Sequence, residues 1–147
     1  MLLFTGVTNN LHAQENGAYD INVTAMSESS GIHAAIGEAN LASVRSLKVT
    51  GSINSYDFMI IRNKMPNLNV LDLSDASIVS NDYEFMNNIH TDNNIISSST
   101  FSGLTNLTEV KLPRNITFIG SSAFQGCSSL ITLRSPLSTQ LTTIILI

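Results

Sequence analysis

The sequence has few of the residues that build disulfide frameworks or metal sites. Its 147 residues include one cysteine, no tryptophan and three prolines. The single cysteine, Cys127, cannot form an intrachain disulfide or a thiolate zinc site, so we interpret it as a small buried hydrophobic residue. The three histidines, His12, His33 and His90, lie far apart and share no ligand spacing. We therefore predict no metal site and no cofactor.

Charge is also sparse. Charged residues make up 12% of the chain, and the formal net charge is −4. No run of Lys or Arg is present, so we expect no nucleic-acid partner. No stretch approaches the ~18 apolar residues that a membrane-spanning helix requires. The hydrophobic fraction of 43% is typical of a globular chain, with room for one domain or a short stack of small units.

The N-terminal residues resemble the end of an export signal. The segment MLLFTGVTNNLHAQ has a short apolar stretch followed by Leu11-His12-Ala13, which resembles a signal-peptidase site. A basic n-region is missing, so we predict that residues 1–13 are the remnant of a signal whose start lies upstream of Met1. A disordered N-terminus is the alternative. Residues 14–28 are predicted to be an N-terminal extension.

What the chain does contain is an internal repeat. STFSGLTNLTEVKLP at 99–113 matches SAFQGCSSLITLRSP at 122–136, an offset of 23 residues. A pattern of the type L-x-x-L-x-L starts at Val44, Leu68, Leu107 and Leu130, which gives intervals of 24, 39 and 23 residues. The excess in the middle interval coincides with the Asn-rich stretch 79–98, which we predict to be an inserted loop.

The repeat predicts a stacked fold. In L-x-L the two apolar residues point to one side of a strand, and a unit this short buries that side only by stacking on its neighbours. Phe101 and Phe124 would fill the space behind the strands. Turns and strand ends are predicted at Gly103, Gly126, Pro113 and Pro136. The predicted fold class is α/β: a solenoid with a short curved parallel β-sheet and with helices, turns and loops on its convex side.

Two earlier segments have helical periodicity. YDFMIIRNKMP places Phe58, Ile61 and Met65 on one face and ends at Pro66. Residues 29–41 follow a serine N-cap and are predicted to be an N-terminal helical cap of the stack. The apolar face of that segment consists of Ile32, Ala35, Ile36 and Ala39.

The phrase I-G-x-x-A-F-x-G-C-x-S-L, Ile119 to Leu130, resembles the leucine-rich repeat surface proteins of the BspA type. The resemblance covers about residues 29–136. It implies a leucine-rich repeat domain with the cap at 29–41, helical repeats at 42–78, the inserted loop at 79–98 and 23-residue repeats at 99–136. It also implies export by a host-associated anaerobic bacterium and adhesion to host extracellular proteins or other cells, without catalysis.

The C-terminal end departs from the family pattern. The apolar positions Ile116 and Ile119 correspond to Thr139 and Thr142, and the chain ends in TTIILI without a polar cap. We predict that residues 137–147 are the tail of a truncated or frameshifted array. A final strand formed by QLTTIILI, slipped by two residues, is the alternative.

The candidate binding residues lie between the apolar members of each strand. Lys48, Asp72, Lys111 and Arg134 occupy this position, and Glu109 and Thr132 flank the column. In a parallel stack they would lie side by side on the concave surface, where repeat proteins bind their partners. The alternative is a solvated sheet face of mixed charge. A second candidate surface is the inserted loop, whose Tyr83, Phe85 and Met86 could form a contact patch or tuck under the stack.

No sequence motif of a hydrolase, a P-loop or a dinucleotide-binding fold is present. We therefore predict a non-catalytic, secreted or cell-surface module that mediates protein–protein interaction or adhesion to host or microbial partners. The alternative is a structural spacer or accessory module of a longer exported protein, such as a secreted hydrolase. The predicted state is a monomer, unless the open C-terminal end self-associates.

Overall fold

A computed structural model describes residues 15–137 of the chain. The predicted export signal at residues 1–13 and the tail from residue 138 onwards, with its alternative final strand, lie outside the described residues. After a short 3-10 turn, the elements in chain order are β1 (Ala18–Val23), α1 (Gly31–Ile36), α2 (Glu38–Leu41), β2 (Ser46–Ile53), α3 (Ser55–Lys64), β3 (Val70–Ile78), β4 (Asn81–Met86), β5 (Ile89–Thr91), β6 (Ile95–Ile96), β7 (Glu109–Lys111), β8 (Phe118–Ile119) and β9 (Thr132–Arg134).

The main sheet is parallel and follows the chain. Its strand order is β1-β2-β3-β7-β9, so each strand lies next to the preceding strand of the same sheet. Together with the few short helices, this sheet agrees with the predicted α/β repeat fold. The L-x-L side chains form the core, and Leu47, Val49, Leu71, Leu73 and Val110 are fully buried.

The segment predicted to be an N-terminal extension contains the first strand of this sheet. In β1, Tyr19, Ile21 and Val23 are buried and alternate with exposed residues. This alternation is what a strand with one buried face requires. Within the segment predicted as an extension, residues 14–28, Ala18–Val23 thus joins the main sheet and pairs with β2 in parallel register.

Helices cover the far side of the first three strands. The predicted serine N-cap is Ser30, whose Oγ accepts a hydrogen bond of 3.0 Å from the N–H of His33. The predicted continuous helical face is interrupted at Gly37, where φ is +83° and α1 ends. Ala39 is therefore exposed instead of buried. In α3 the predicted apolar face is confirmed, because Phe58, Ile61 and Met65 are all buried.

The C-terminal units keep their 23-residue offset in the backbone as well as in the sequence. Gly103 and Gly126 have φ of +75° and +76°, as the predicted tight turns require. The N–H of Phe101 donates to the carbonyl of Ala123 at 2.8 Å, so the turns of neighbouring units are hydrogen-bonded to each other. The Phe101 and Phe124 rings stack with centroids 5.1 Å apart, which confirms that they fill the space behind the strands.

The stretch predicted as an inserted loop is more ordered than expected. Strands β4 and β5 form an antiparallel hairpin. Strand β6 then pairs in parallel with β8, with Ile95 opposite Phe118 and Ile96 opposite Ile119. Ile96 is fully buried, so the stretch predicted as a loop at 79–98 contributes a strand residue to the core next to the repeats.

Candidate functional site

The predicted charged residues lie side by side on one face of the main sheet. Strand register places Lys48 opposite Asp72, Asp72 opposite Lys111, and Lys111 opposite Arg134. Asp20 of β1 lies opposite Lys48 and extends the row. We call Asp20, Lys48, Asp72, Lys111 and Arg134 the charged column, and the sheet face that carries it the open face.

The two flanking residues of the prediction lie on the same open face. Glu109 and Thr132 are two positions before Lys111 and Arg134, so their side chains point to the same side of the strands. They are also directly opposite each other in the register of β7 and β9. All six predicted residues are therefore brought together by the fold.

Ion pairs tie part of the charged column together. Lys111 Nζ lies 3.1 Å from a carboxylate oxygen of Asp72 and 3.8 Å from one of Glu109. Asp75 lies 3.9 Å from Lys48 and 3.2 Å from Arg114. Asp72, Asp75 and Glu109 are thus each engaged by at least one lysine or arginine.

Asp72 is the most constrained member of the charged column. Its Oδ1 accepts hydrogen bonds from the hydroxyl of Ser74 at 2.6 Å and from the N–H of Ser74 at 3.0 Å. Partial burial acts to raise the pKa of Asp72, but the bonds from Ser74 and Lys111 outweigh it and hold the pKa below its usual value. Asp72 is therefore a fixed carboxylate that orients the ammonium group of Lys111.

A groove of about 490 Å³ runs along the column from β2 to β9. Its lining residues are Lys48, Asp72, Ser74, Asp75, Lys111, Leu112, Arg114, Arg134, Ser135 and Pro136. We call this the basic groove, because four of the chain's seven Lys and Arg residues line it, against two of its eleven Asp and Glu residues.

Sequence reasoning missed several members of this site. Asp20 was not predicted because its strand lacks the L-x-x-L-x-L pattern, although the alternating apolar residues around it indicate a strand. Asp75 was not predicted for a different reason, and Arg114 joins the site through its ion pair with Asp75. The register between β2 and β3 shifts by one residue after Lys48, so that Thr50 lies opposite Asp75. A bulge of this kind leaves no periodic signal in the sequence.

The second candidate surface is largely buried. Phe85 is buried, and its ring centroid lies 5.7 Å from that of Phe58 in α3. Met86 packs partly against the same core. Tyr83 is 38% exposed and stacks on Tyr56 at 4.1 Å. Of the three predicted residues, only Tyr83 remains available as a contact.

A scan against protein-family models matches residues 80–145 to the family described as BspA type Leucine rich repeat region (6 copies). Residues 80–145 belong to the BspA-type leucine-rich repeat family. The predicted family resemblance is thereby confirmed. A search of curated proteins gives no significant match. The match indicates a protein-interaction or adhesion module, and BspA-type repeats are typical of surface or exported proteins.

Other reactive side chains of the chain have structural partners. Cys127 is half-buried, its thiol donates to the carbonyl of Phe101 at 3.0 Å, and burial raises its pKa. Between residues 15 and 137, no group of three or more His, Cys, Asp or Glu residues could hold a metal ion. Within the same range, no helix is long and apolar enough to cross a membrane.

Proposed function

We propose that the chain is a non-catalytic interaction module, exported to the cell surface or secreted, whose open face binds a protein partner. The observation that carries this proposal is the charged column, which gathers charged side chains from five strands into one continuous row. A row of this kind presents many weak contacts on a rigid support, and a few of them can anchor a partner.

The architecture we infer for this function is a solenoid. The five parallel strands would be the inner, concave surface of successive coils, and residues 29–41 would cap the first coil. The order of the main sheet supports this inference, because each strand pairs with the preceding one. The partner would be a host extracellular-matrix protein or a protein on another cell, as expected for the family.

Binding of the full chain to immobilised extracellular-matrix proteins, measured by biolayer interferometry, tests the proposal. The informative variant is the double reversal Lys111→Glu/Arg134→Glu. Its matched control is Arg45→Glu/Lys64→Glu, which makes the same change of net charge at two residues that do not line the basic groove. Tyr83→Ser tests the hairpin surface separately.

We expect saturable binding to at least one matrix protein. The Lys111→Glu/Arg134→Glu variant should weaken it at least tenfold, whereas the control variant and Tyr83→Ser retain it. Binding that survives the reversal, or depends on Tyr83 instead, would contradict the open face as the binding surface. The absence of saturable binding to any protein of the panel would favour a structural spacer.

A further inference from the structure

The charge of the open face is unevenly distributed. At one end of the charged column, Asp20 and Asp72 flank Lys48 on neighbouring strands. At the other end, Lys111 and Arg134 are directly opposite each other. Like charges in directly opposed positions repel, and the pair therefore lowers the stability of the sheet. An anion placed between these two side chains would remove that repulsion.

The surroundings of this pair increase the positive charge. Arg114, 77% exposed, also lines the basic groove. Lys111 is paired with Asp72 and, more loosely, with Glu109, and Arg114 is paired with Asp75. Arg134 has no ion pair within the described part of the chain, residues 15–137. The lining of the groove carries four cations and two carboxylates, a net charge of +2, on a chain whose formal net charge is −4.

Within the described residues, the carboxylates that line the groove are already engaged. Asp72 pairs with Lys111, and Asp75 pairs with Lys48 and Arg114. The excess positive charge of the lining is therefore open to an anionic group of another molecule.

From this charge distribution we propose that the basic groove binds a short acidic segment of a partner protein, with one carboxylate between Lys111 and Arg134 and a second near Arg114. This inference rests on the proposed function and specifies its partner. The arginines can each hold a carboxylate through two parallel hydrogen bonds. The Asp72 and Asp75 side chains lie between the cations, so they would repel a uniformly anionic polymer such as a sulfated glycan. A peptide with two separated carboxylates avoids that repulsion.

The test is an NMR titration of the isotopically labelled full chain with a blocked heptapeptide that carries two glutamates at alternate positions. Its counterpart with two glutamines is the ligand control. We expect saturable amide shifts in residues 109–114 and 132–136 at millimolar peptide in 20 mM NaCl. Since exposed charges are screened by salt, the same shifts should shrink several-fold in 300 mM NaCl. The glutamine peptide should leave these amides unchanged.

Two protein variants complete the design. Lys111→Glu/Arg134→Glu should abolish the shifts, and Arg45→Glu/Lys64→Glu should retain them. Equal shifts with the glutamine peptide, or shifts from a heparin oligosaccharide but not from the glutamate peptide, would overturn the inference. If a matrix protein binds through the open face while the glutamate peptide causes no shifts, only the acidic-segment inference fails. If the peptide binds and no matrix protein does, the inference stands and the proposed matrix partner fails.

Discussion

The two halves of the main sheet differ in the length of their strands and in the elements that accompany them. In the N-terminal half, residues 18–78, β2 and β3 contain eight and nine residues, and the ten-residue α3 packs behind them. In the C-terminal half, residues 94–137, β7 and β9 contain three residues each. Hydrogen-bonded turns and the two-residue strands β6 and β8 take the place of helices there.

The halves also differ in what links one unit to the next. In the N-terminal half the buried carboxylate of Asp57 accepts hydrogen bonds from the Ser30 hydroxyl at 2.6 Å and from the N–H groups of Ile32 and Asn54, each at 3.0 Å. In the C-terminal half the links are backbone hydrogen bonds, such as Gly103 N–H to the carbonyl of Gln125 at 2.7 Å. Side-chain links depend on particular residues, whereas backbone links depend on chain geometry.

The largest effect is expected where a side chain carries the link. Asp57→Ala removes the acceptor of two buried N–H groups and of the Ser30 hydroxyl, so the free energy of unfolding should fall by about 3–4 kcal/mol. Ser30→Ala removes only one donor to Asp57 and one N-cap acceptor, and should cost about 1 kcal/mol. Urea denaturation at pH 7 measures both. A loss below that of Ser30→Ala would show that the buried carboxylate does not link the helices.

In each half, one glycine lies close to the backbone of a neighbouring segment. A second experiment tests how much stability each half loses when a Cβ is added at that glycine. An added Cβ would lie 2.0 Å from the Val23 carbonyl oxygen at Gly51 and 2.4 Å from the Ser98 nitrogen at Gly120. Gly120→Ala should lower the free energy of unfolding by about 2–3 kcal/mol, because backbone atoms must move. Gly51→Ala should cost about 1 kcal/mol more, because φ at Gly51 is +93° and the alanine also adopts a left-handed backbone.

Gly103→Ala is the matched control for these two variants. A Cβ at Gly103 meets no atom within 4 Å, and its φ is +75°. The cost is then the left-handed backbone alone, about 1 kcal/mol. If Gly120→Ala costs no more than Gly103→Ala, the backbone links of the C-terminal half are looser than those of the N-terminal half.

Arg62 couples the two halves. From α3 its guanidinium donates to the carbonyl of Thr100 at 2.7 Å and to that of Ser102 at 3.1 Å, in the turn of the C-terminal half. Arg62→Met should cost about 1.5–2 kcal/mol, since hydrogen bonds to a charged group are lost. Lys64→Met is the control, because Lys64 also lies on α3 and forms only an exposed pair with Glu38 of α2. Hydrogen exchange should speed up at residues 99–103 in Arg62→Met only; unchanged exchange there would argue against coupling.

Acidification should separate the two kinds of carboxylate. The pKa of Asp72 is held below its usual value in the folded state, so its contribution to stability is present above the unfolded pKa and is lost as the pH falls through the folded pKa. Asp72→Asn should therefore cost about 0.5–1 kcal/mol at pH 7, and less towards acidic pH.

The pH dependence of Asp57 should have the opposite sign, because burial raises its pKa. That contribution to stability favours folding at low pH and is lost as the pH rises through the folded pKa of Asp57. Denaturation curves of both Asn variants from pH 3 to pH 7 measure this contrast. Parallel trends for the two variants would contradict it.

The repeated half of the fold was predictable from the sequence, and the deviations from the repeat were not. The L-x-L pattern placed Lys111 beside Asp72, because each residue occupies the same position of the pattern and parallel stacking aligns these positions even across the 39-residue interval. It did not reveal the bulge in β3 that brings Asp75 alongside the column, because a one-residue insertion looks like ordinary spacing. The hairpin at residues 81–91 packs through Phe85 onto Phe58, a long-range contact that local periodicity does not encode.

The smallest effect separates stability from binding in the C-terminal half. Arg134→Glu replaces the opposed pair of cations by an opposed Lys–Glu pair, so the free energy of unfolding should rise by about 0.2–0.5 kcal/mol. Arg114→Glu removes the guanidinium that lies 3.2 Å from Asp75 and puts a second carboxylate near it, so it should lower stability slightly. Both changes should weaken binding of the glutamate peptide. If Arg134→Glu raises the free energy of unfolding and weakens binding of the peptide, Arg134 contributes to binding and lowers the stability of the fold. A loss of stability above about 0.5 kcal/mol would instead mean that Arg134 holds the sheet together.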